Sequence, residues 1–331
     1  MCAMNNEMFW MMSGVLVLLA VASIAGWFMS IKATTPGGKA SVANFNSRTK
    51  SWWMMVGIFG ITLYLGHWTT VVLFFLLSFL ALREFITLNE TKLCDHKVLF
   101  WCFFIILPLQ YFLVGVQWYG LASIFIPVYA FIFIPIRKVM TGETKDFLAT
   151  TAKIQWGMLT CVYFVSHIPM IMSLPIKNLE VGNAALLFFF VATAQASDVF
   201  QYCWGKLLGR RKIAPNLSPN KTVEGAVGGI VTTVLLAMGM SVVTPFNPFQ
   251  AALMALLICL AGFFGGLVMS AIKRDLGAKD WGTTIAGHGG VLDRIDSLCF
   301  AAPLFFHLTG FYFGTGIDPA PPDWILGLLG K

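Results

Sequence analysis

The chain is a succession of long apolar runs broken by short polar stretches. The runs fall near 8–31, 51–65, 67–88, 97–115, 118–136, 151–173, 182–204, 223–243, 249–271 and 296–314. Most have the length of about 20 residues that a helix needs to cross the hydrocarbon of a bilayer. Lipid offers a bare backbone no hydrogen-bond partners, so such runs are expected to be helical. The second run is short for a full crossing and is parted from the third only by Gly66 and His67. The expected architecture is therefore all-α, a polytopic integral membrane bundle of nine or ten transmembrane helices.

The first run, Met8 to Ile31, is preceded by Glu7 and by no Lys or Arg. It is also longer than the apolar core of a signal peptide, so it is read as a retained span. The longest polar stretches, Lys32–Lys50 and Gly205–Thr222, are too short to fold as a soluble domain. No internal repeat of the kind found in inverted-repeat transporters is visible.

Composition agrees with this pattern. Hydrophobic residues make up 58% and charged residues 11% of the 331, against about 25% charged in an ordinary soluble domain. That excludes a soluble globular protein. The seven cysteines are scattered, with no metal-binding spacing, and read as small buried apolar residues.

Charge gives the orientation. If the N-terminus lies outside, alternate loops collect 20 of the 22 Lys and Arg on the inner side, leaving Lys177 and Lys331 outside. Cytoplasmic loops carry this bias. The expected location is the inner (cytoplasmic) membrane, multi-pass, with the active face toward the cytoplasm. The net charge of +7 follows from topology and calls for no nucleic-acid partner, although it would draw nucleotides and anionic lipid headgroups to that face.

Residues 1–145 carry few acids and read as scaffold spans or a subunit interface, with a homodimer as one arrangement. Residues 146–331 read as the catalytic part of one continuous membrane domain. There the acids Asp198, Glu224, Asp275, Asp280, Asp293 and Asp296 alternate with Lys206, Arg210, Arg211, Lys212, Lys221, Lys273, Arg274, Lys279 and Arg294. A polyanionic substrate held through a divalent cation needs both signs: carboxylates for the metal, ammonium and guanidinium groups for the phosphates. Solvated loop charges pairing with one another are the competing explanation for any single residue.

Two segments sharpen the choice. Ser197 to Gly225 places Asp198 near the inner end of a span, where an unpaired carboxylate is costly. A Gly- and Pro-broken loop follows, able to bring backbone N–H groups to phosphate. Lys221-Thr222 then stands ahead of a helix N-terminus, which favours an anion. The GxxxxGK[ST] spacing of a P-loop is absent. The second segment, Ser270 to Asp296, sets Asp293 and Asp296 three apart, on one face if helical. With Asp280 they form a candidate magnesium site at the mouth of the last span. His288, between glycines, is a candidate phosphate contact or a structural donor.

Ser270 to Asp296 reads S-x-x-K-R-x4-K-D…H-G-G-x-x-D-R-x-D, and 218–225 reads S-P-N-K-T-V-E-G. Together these strings resemble the phosphatidate cytidylyltransferase (CDP-diglyceride synthetase) family over about residues 190–300. Ala286 and Val223 depart from the residues usual at their positions, which bears on loop shape and substrate preference. The resemblance implies the reaction CTP + phosphatidate → CDP-diacylglycerol + pyrophosphate, with magnesium as cofactor, in phospholipid biosynthesis. It also implies CTP and bilayer phosphatidate as partners, and leaves open the identity of any second cation.

On that basis Asp280, Asp293 and Asp296 are expected to hold the metal, with Asp198 as a further ligand. Lys221, Lys273, Arg274, Lys279, Arg294 and His288 are the candidate catalytic groups. Ser218, Thr222, Glu224 and Arg211 are candidate substrate contacts. The rival enzyme is a CTP-dependent kinase of a polyprenol-type lipid alcohol, which would need a general base; His288 is the candidate for it. A transporter is the rival from another class, but the charges sit at span ends rather than mid-span. The D-G-x2-A-R string of CDP-alcohol phosphotransferases is absent.

Overall fold

The computed structural model describes residues 6–93, 95–176, 182–285 and 289–314, without the side chains of 6–8 and 11. Ten helices follow one another: α1 (Asn6–Lys32), α2 (Pro36–Leu65), α3 (His67–Leu88), α4 (Asp95–Gly115), α5 (Tyr119–Val139), α6 (Phe147–Ser173), α7 (Asn183–Leu208), α8 (Val223–Val243), α9 (Pro248–Asp275) and α10 (Leu292–Phe313). Among the described residues, nine are long and apolar enough to cross a membrane, all but α2. The run 51–65 is the apolar end of α2. The polar stretch Lys32–Lys50, expected as a loop, is mostly the first half of that helix. Thr35 caps its start by accepting the Gly38 N–H at 3.2 Å, with Pro36 in the first turn.

Cross-links sort the helix ends into two groups. At one end, His67 meets the Gly115 carbonyl at 3.1 Å and the Ser173 hydroxyl at 2.9 Å. Tyr119 donates to Ser173 O, and the backbone of Ile176 bridges that of Gly314. At the other end, Lys92 meets Asp146 at 3.1 Å, Lys138 meets Asp95 at 3.0 Å, and Arg274 donates to Leu217 O. From Arg83 onward, every described Lys and Arg belongs to this second end. The alternation expected from charge is thus built into the packing. The protein is a multi-pass integral membrane protein.

Helix α8 lies against α7 on a small-residue face. A Cβ on Gly229 would come 2.5 Å from the Gln201 side chain and 2.6 Å from its backbone nitrogen, and one on Gly225 would meet the Gln201 carbonyl at 2.8 Å. Such close approach supplies dispersion contact where lipid gives no hydrophobic drive. Trp204 adds a hydrogen bond to Thr232 at 2.9 Å. Helix α9 opens on a reciprocal cap between Asn247 and Gln250. Beyond α9, Gly277 takes a positive φ of 69°, and the Ala278 N–H returns to the Lys273 carbonyl at 2.8 Å. Glycine meets that left-handed requirement at little cost.

One element lies outside the all-helical expectation. Between α7 and α8 the chain forms a two-stranded antiparallel hairpin, β1 (Lys212–Ala214) and β2 (Ser218–Thr222), with Lys212 opposite Thr222 and Ala214 opposite Ser218. It covers the charged end of the α7–α8–α9 group.

Candidate active site

The C-terminal end of α9 and the first turn of α10 are joined by a buried ion pair, Lys273 Nζ to Asp293 Oδ1 at 2.7 Å. The second Asp293 oxygen accepts the backbone N–H groups of Trp281 at 2.8 Å and Gly290 at 2.9 Å. Asp293 therefore ties Trp281, six residues past α9, to Gly290 at the entry to α10. Gly289, at φ 81°, packs so closely that a Cβ there would meet Asp293 Oδ2 at 2.8 Å. It would also come 3.5 Å from the Cβ of Asp280, which puts Asp280, an exposed residue, beside the same carboxylate.

One turn on, Asp296 accepts the Ser297 N–H at 2.8 Å through Oδ1. The Ser297 hydroxyl donates to Asp198 Oδ2 of α7 at 2.9 Å. Asp198 and Asp296 thus face one cleft from α7 and α10. Arg294 lies within electrostatic reach of both, and its Nε is buried without a hydrogen-bond acceptor among the described residues. A guanidinium with a buried N–H to spare is suited to an anion.

Lys221, from β2, enters the cleft from the side. Its Nζ lies 4.6 Å from the centroid of the Phe263 ring and 3.4 Å from the Phe263 carbonyl. A Cβ on Gly266 would approach that ammonium to 3.1 Å. Phe263 and Gly266 precede the end of α9 at Asp275 by 12 and 9 residues, roughly 14–18 Å along a helix rising about 1.5 Å per residue. Lys221 therefore reaches well below the charged surface. Burial pulls its ammonium down from the ordinary lysine range; Asp198 and Asp296 pull it back up, and Lys273 lowers it further.

The remaining expected residues divide by position. Arg274 is exposed and ties the hairpin to the turn after α9, donating to Leu217 O at 3.3 Å and Ala278 O at 3.0 Å. Lys279 and Arg211 are exposed, and Ser218 is half-buried in the hairpin. Thr222 is buried, and its hydroxyl oxygen caps α8 by accepting the Gly225 N–H at 3.1 Å. Glu224 accepts the Arg210 and Arg211 N–H groups at 2.9 and 3.1 Å, so it shapes the entry to the hairpin. His288 and Ala286 lie outside the described residues.

Among the described residues, no three His, Cys, Asp or Glu side chains converge tightly enough to enclose a metal ion by themselves. The carboxylates of Asp198 and Asp296, which feel one another's charge, are nonetheless of the donor type a hard divalent cation uses. Magnesium commonly takes only one or two protein carboxylates and draws the rest of its shell from substrate phosphates and water.

One participant has no counterpart in the sequence reading. Glu84, on α3, is buried, and its carboxylate accepts the Val291 and Leu292 N–H groups at 2.9 Å each and the Thr284 hydroxyl at 2.5 Å. An acid inside the apolar run 67–88 was the available signal, since ionisable groups at that depth are costly.

A cluster of this kind, with mixed charge at the end of a helical membrane bundle, fits the handling of a phosphate anion. Sequence comparison agrees: residues 46–312 match the model of the cytidylyltransferase family. The chain belongs to that family. It is a membrane nucleotidyltransferase. The chain is 41% identical over 261 residues to an uncharacterized Escherichia coli K12 protein, YnbB, covering 78% of this chain and 85% of that one. It is 30% identical over 266 residues to the phosphatidate cytidylyltransferase of Bacillus subtilis, covering 77% and 94%. A Staphylococcus haemolyticus phosphatidate cytidylyltransferase is 28% identical over 249 residues, covering 75% and 92%.

Proposed function

We propose that this cytidylyltransferase uses CTP and phosphatidate, releasing CDP-diacylglycerol and pyrophosphate, in phospholipid biosynthesis. The observation that carries the reading is Lys221: a cation drawn below the charged surface, within electrostatic reach of Asp198 and Asp296. A cation at that depth suits a phosphate carried by a bilayer lipid, whereas a soluble nucleotide would arrive from the charged end. The named relatives from Bacillus and Staphylococcus support the same substrate pair.

In the reaction, a phosphate oxygen of the lipid bonds to the α-phosphorus of CTP as the bond from that phosphorus to the bridging oxygen breaks. The electron pair leaves with pyrophosphate. A phosphate monoester with a second pKa of about 6 is largely a dianion near neutrality, so no general base is needed. The difficulty is bringing two anions together in line. Lys221 offsets the charge of the lipid phosphate. Arg294 offers its buried N–H to the nucleotide, and the exposed Arg274 and Lys279 receive the triphosphate at the mouth. Ser218 and Arg211 line that mouth from the hairpin, and Glu224 and Thr222 keep the hairpin in shape. Asp293 holds Lys273 and the loop in place.

Asp198 and Asp296 would hold magnesium, with Asp280 and Asp293 beside them; when bound, it would supply charge neutralisation on the phosphates and on the leaving pyrophosphate. The charged end of the bundle faces the cytoplasm, in keeping with its share of Lys and Arg.

The test uses purified protein in phosphatidate-containing nanodiscs with CTP labelled at either the α or the γ phosphate. Transfer of α label into lipid, with pyrophosphate released only when magnesium is added, is the expected result. Transfer of γ label to an alcohol acceptor would replace this reading with a lipid kinase.

A further inference from the structure

The loop between α9 and α10 closes around a single side chain that lies some two hundred residues earlier. A Cβ on Gly290 would fall 2.4 Å from Glu84 Oε2, and one on Gly282 would fall 3.1 Å from Glu84 Oε1. Both glycines stand where a larger residue would strike the carboxylate. The Glu84 oxygens take up the N–H groups of Val291 and Leu292, and the Thr284 hydroxyl. The start of α10 has no side-chain cap of its own. A carboxylate from α3 satisfies the N–H groups that the helix leaves open, at the end where its dipole favours negative charge. Next to Glu84, the Phe85 ring stacks on Trp281 with centroids 5.4 Å apart and planes at 30°.

We propose that Glu84 is the positioning residue of the transfer site, a fixed acceptor that sets the rotation of the first turn of α10 and with it Asp293 and Asp296. This rests on the reading that the cleft is the cytidylyl-transfer site. Asp293 pins Trp281 and Gly290, and Glu84 pins the residues immediately following. Two carboxylates from distant parts of the chain thus hold Trp281, Thr284, Gly290, Val291 and Leu292 in place before substrate arrives. Glu84 touches neither substrate, so its effect is on geometry. Losing it leaves the binding cations in place and misaligns the acids.

The test is Glu84→Gln, which keeps the volume but turns an NH2 group toward an N–H that needs an acceptor. Gly290→Ala probes the same contact from the loop side. Each is purified in nanodiscs and compared with the wild type in kcat, in KM for both substrates and in amide hydrogen exchange. The expected result is a fall in kcat of about 100-fold, as for a displacement of about 1 Å. KM values should stay within about threefold, and faster exchange should be centred on residues 281–285 and 289–292. Glu84→Asp should recover part of the rate. Wild-type kcat and unchanged exchange in both variants would overturn the proposal. So would faster exchange spread through all helices with kcat of the folded fraction intact. If the wild type shows no cytidylyl transfer while the loop still loosens in both variants, the reaction is wrong and the positioning of the loop by Glu84 stands.

Discussion

Two buried carboxylate–ammonium pairs lie at the same end of the bundle, and they do different work. Lys138 and Asp95 meet at 3.0 Å with both side chains 1% exposed, sealing α5 against the start of α4. The approach is close but off the line of a good hydrogen bond to the ammonium. Lys273 and Asp293 meet at 2.7 Å in good hydrogen-bond geometry. Around them stand Asp198, Asp296, Lys221 and Arg294, which feel one another's charge but form no direct ion pair among the described residues. An ion pair alone therefore does not mark a site. What sets the second pair apart is its place among further charges of both signs, the setting the proposed reaction needs for a polyanion and its cation.

The comparison breaks most sharply at Asp296. Asp296→Asn should lower the transfer rate by about 1,000-fold, roughly 4 kcal/mol of transition-state stabilisation, with thermal stability in detergent unchanged. Retention of near-normal turnover would remove Asp296 from the metal. Lys138→Met should do the reverse. Taking the ammonium away from the buried Asp95 carboxylate is expected to cost about 3–5 kcal/mol of stability, and the folded fraction should keep its turnover. The double variant Asp95→Leu, Lys138→Met should recover much of that loss in the same melting experiment. If the double variant is as unstable as the single one, the pair holds more than its own two charges.

A smaller effect is expected from Lys221. Lys221→Ala should reduce kcat/KM for phosphatidate by about 10–100-fold, the scale of one charged hydrogen bond, while KM for CTP changes little. The lowered pKa of Lys221 also sets a sign. An anion-binding lysine works only while protonated, so kcat/KM for the lipid should fall as pH rises through that lowered value, earlier than for an ordinary surface lysine. In Lys221→Arg the guanidinium stays protonated, and that alkaline fall should vanish from the pH–rate profile. The smallest effect belongs to the outlying helix α1, where Trp27 is 59% exposed. Trp27→Ala should leave both turnover and melting temperature unchanged within error.

The sequence carried most of the helices because their apolar runs end where the charges begin. The runs 67–88 and 223–243 coincide with α3 and α8. It missed the first half of α2, where Lys39, Arg48 and Lys50 interrupt any apolar run while Thr35 and Pro36 start a helix. The i, i+3 spacing of Asp293 and Asp296 was legible, because one helical turn sets it. The partners of those acids were not. Lys273 is drawn to Asp293 across a loop, and Asp198 reaches Ser297 from another span. The β1–β2 hairpin was hidden for the same reason: Glu224 fixes its entry by reaching back to the N–H groups of Arg210 and Arg211. Glu84 is the extreme case, since its donors begin two hundred residues later. Local pattern shows which residue types are present, and long-range packing decides which of them meet.

In the proposed reaction, cation and phosphates meet at Asp198 and Asp296. Manganese(II) binding, followed by electron paramagnetic resonance in the presence of CTP, tests that directly. Wild-type protein should take up the ion, Asp198→Asn and Asp296→Asn should each lose that binding, and Lys138→Met should keep it. Unchanged manganese binding in both aspartate variants would contradict that assignment and place the metal elsewhere.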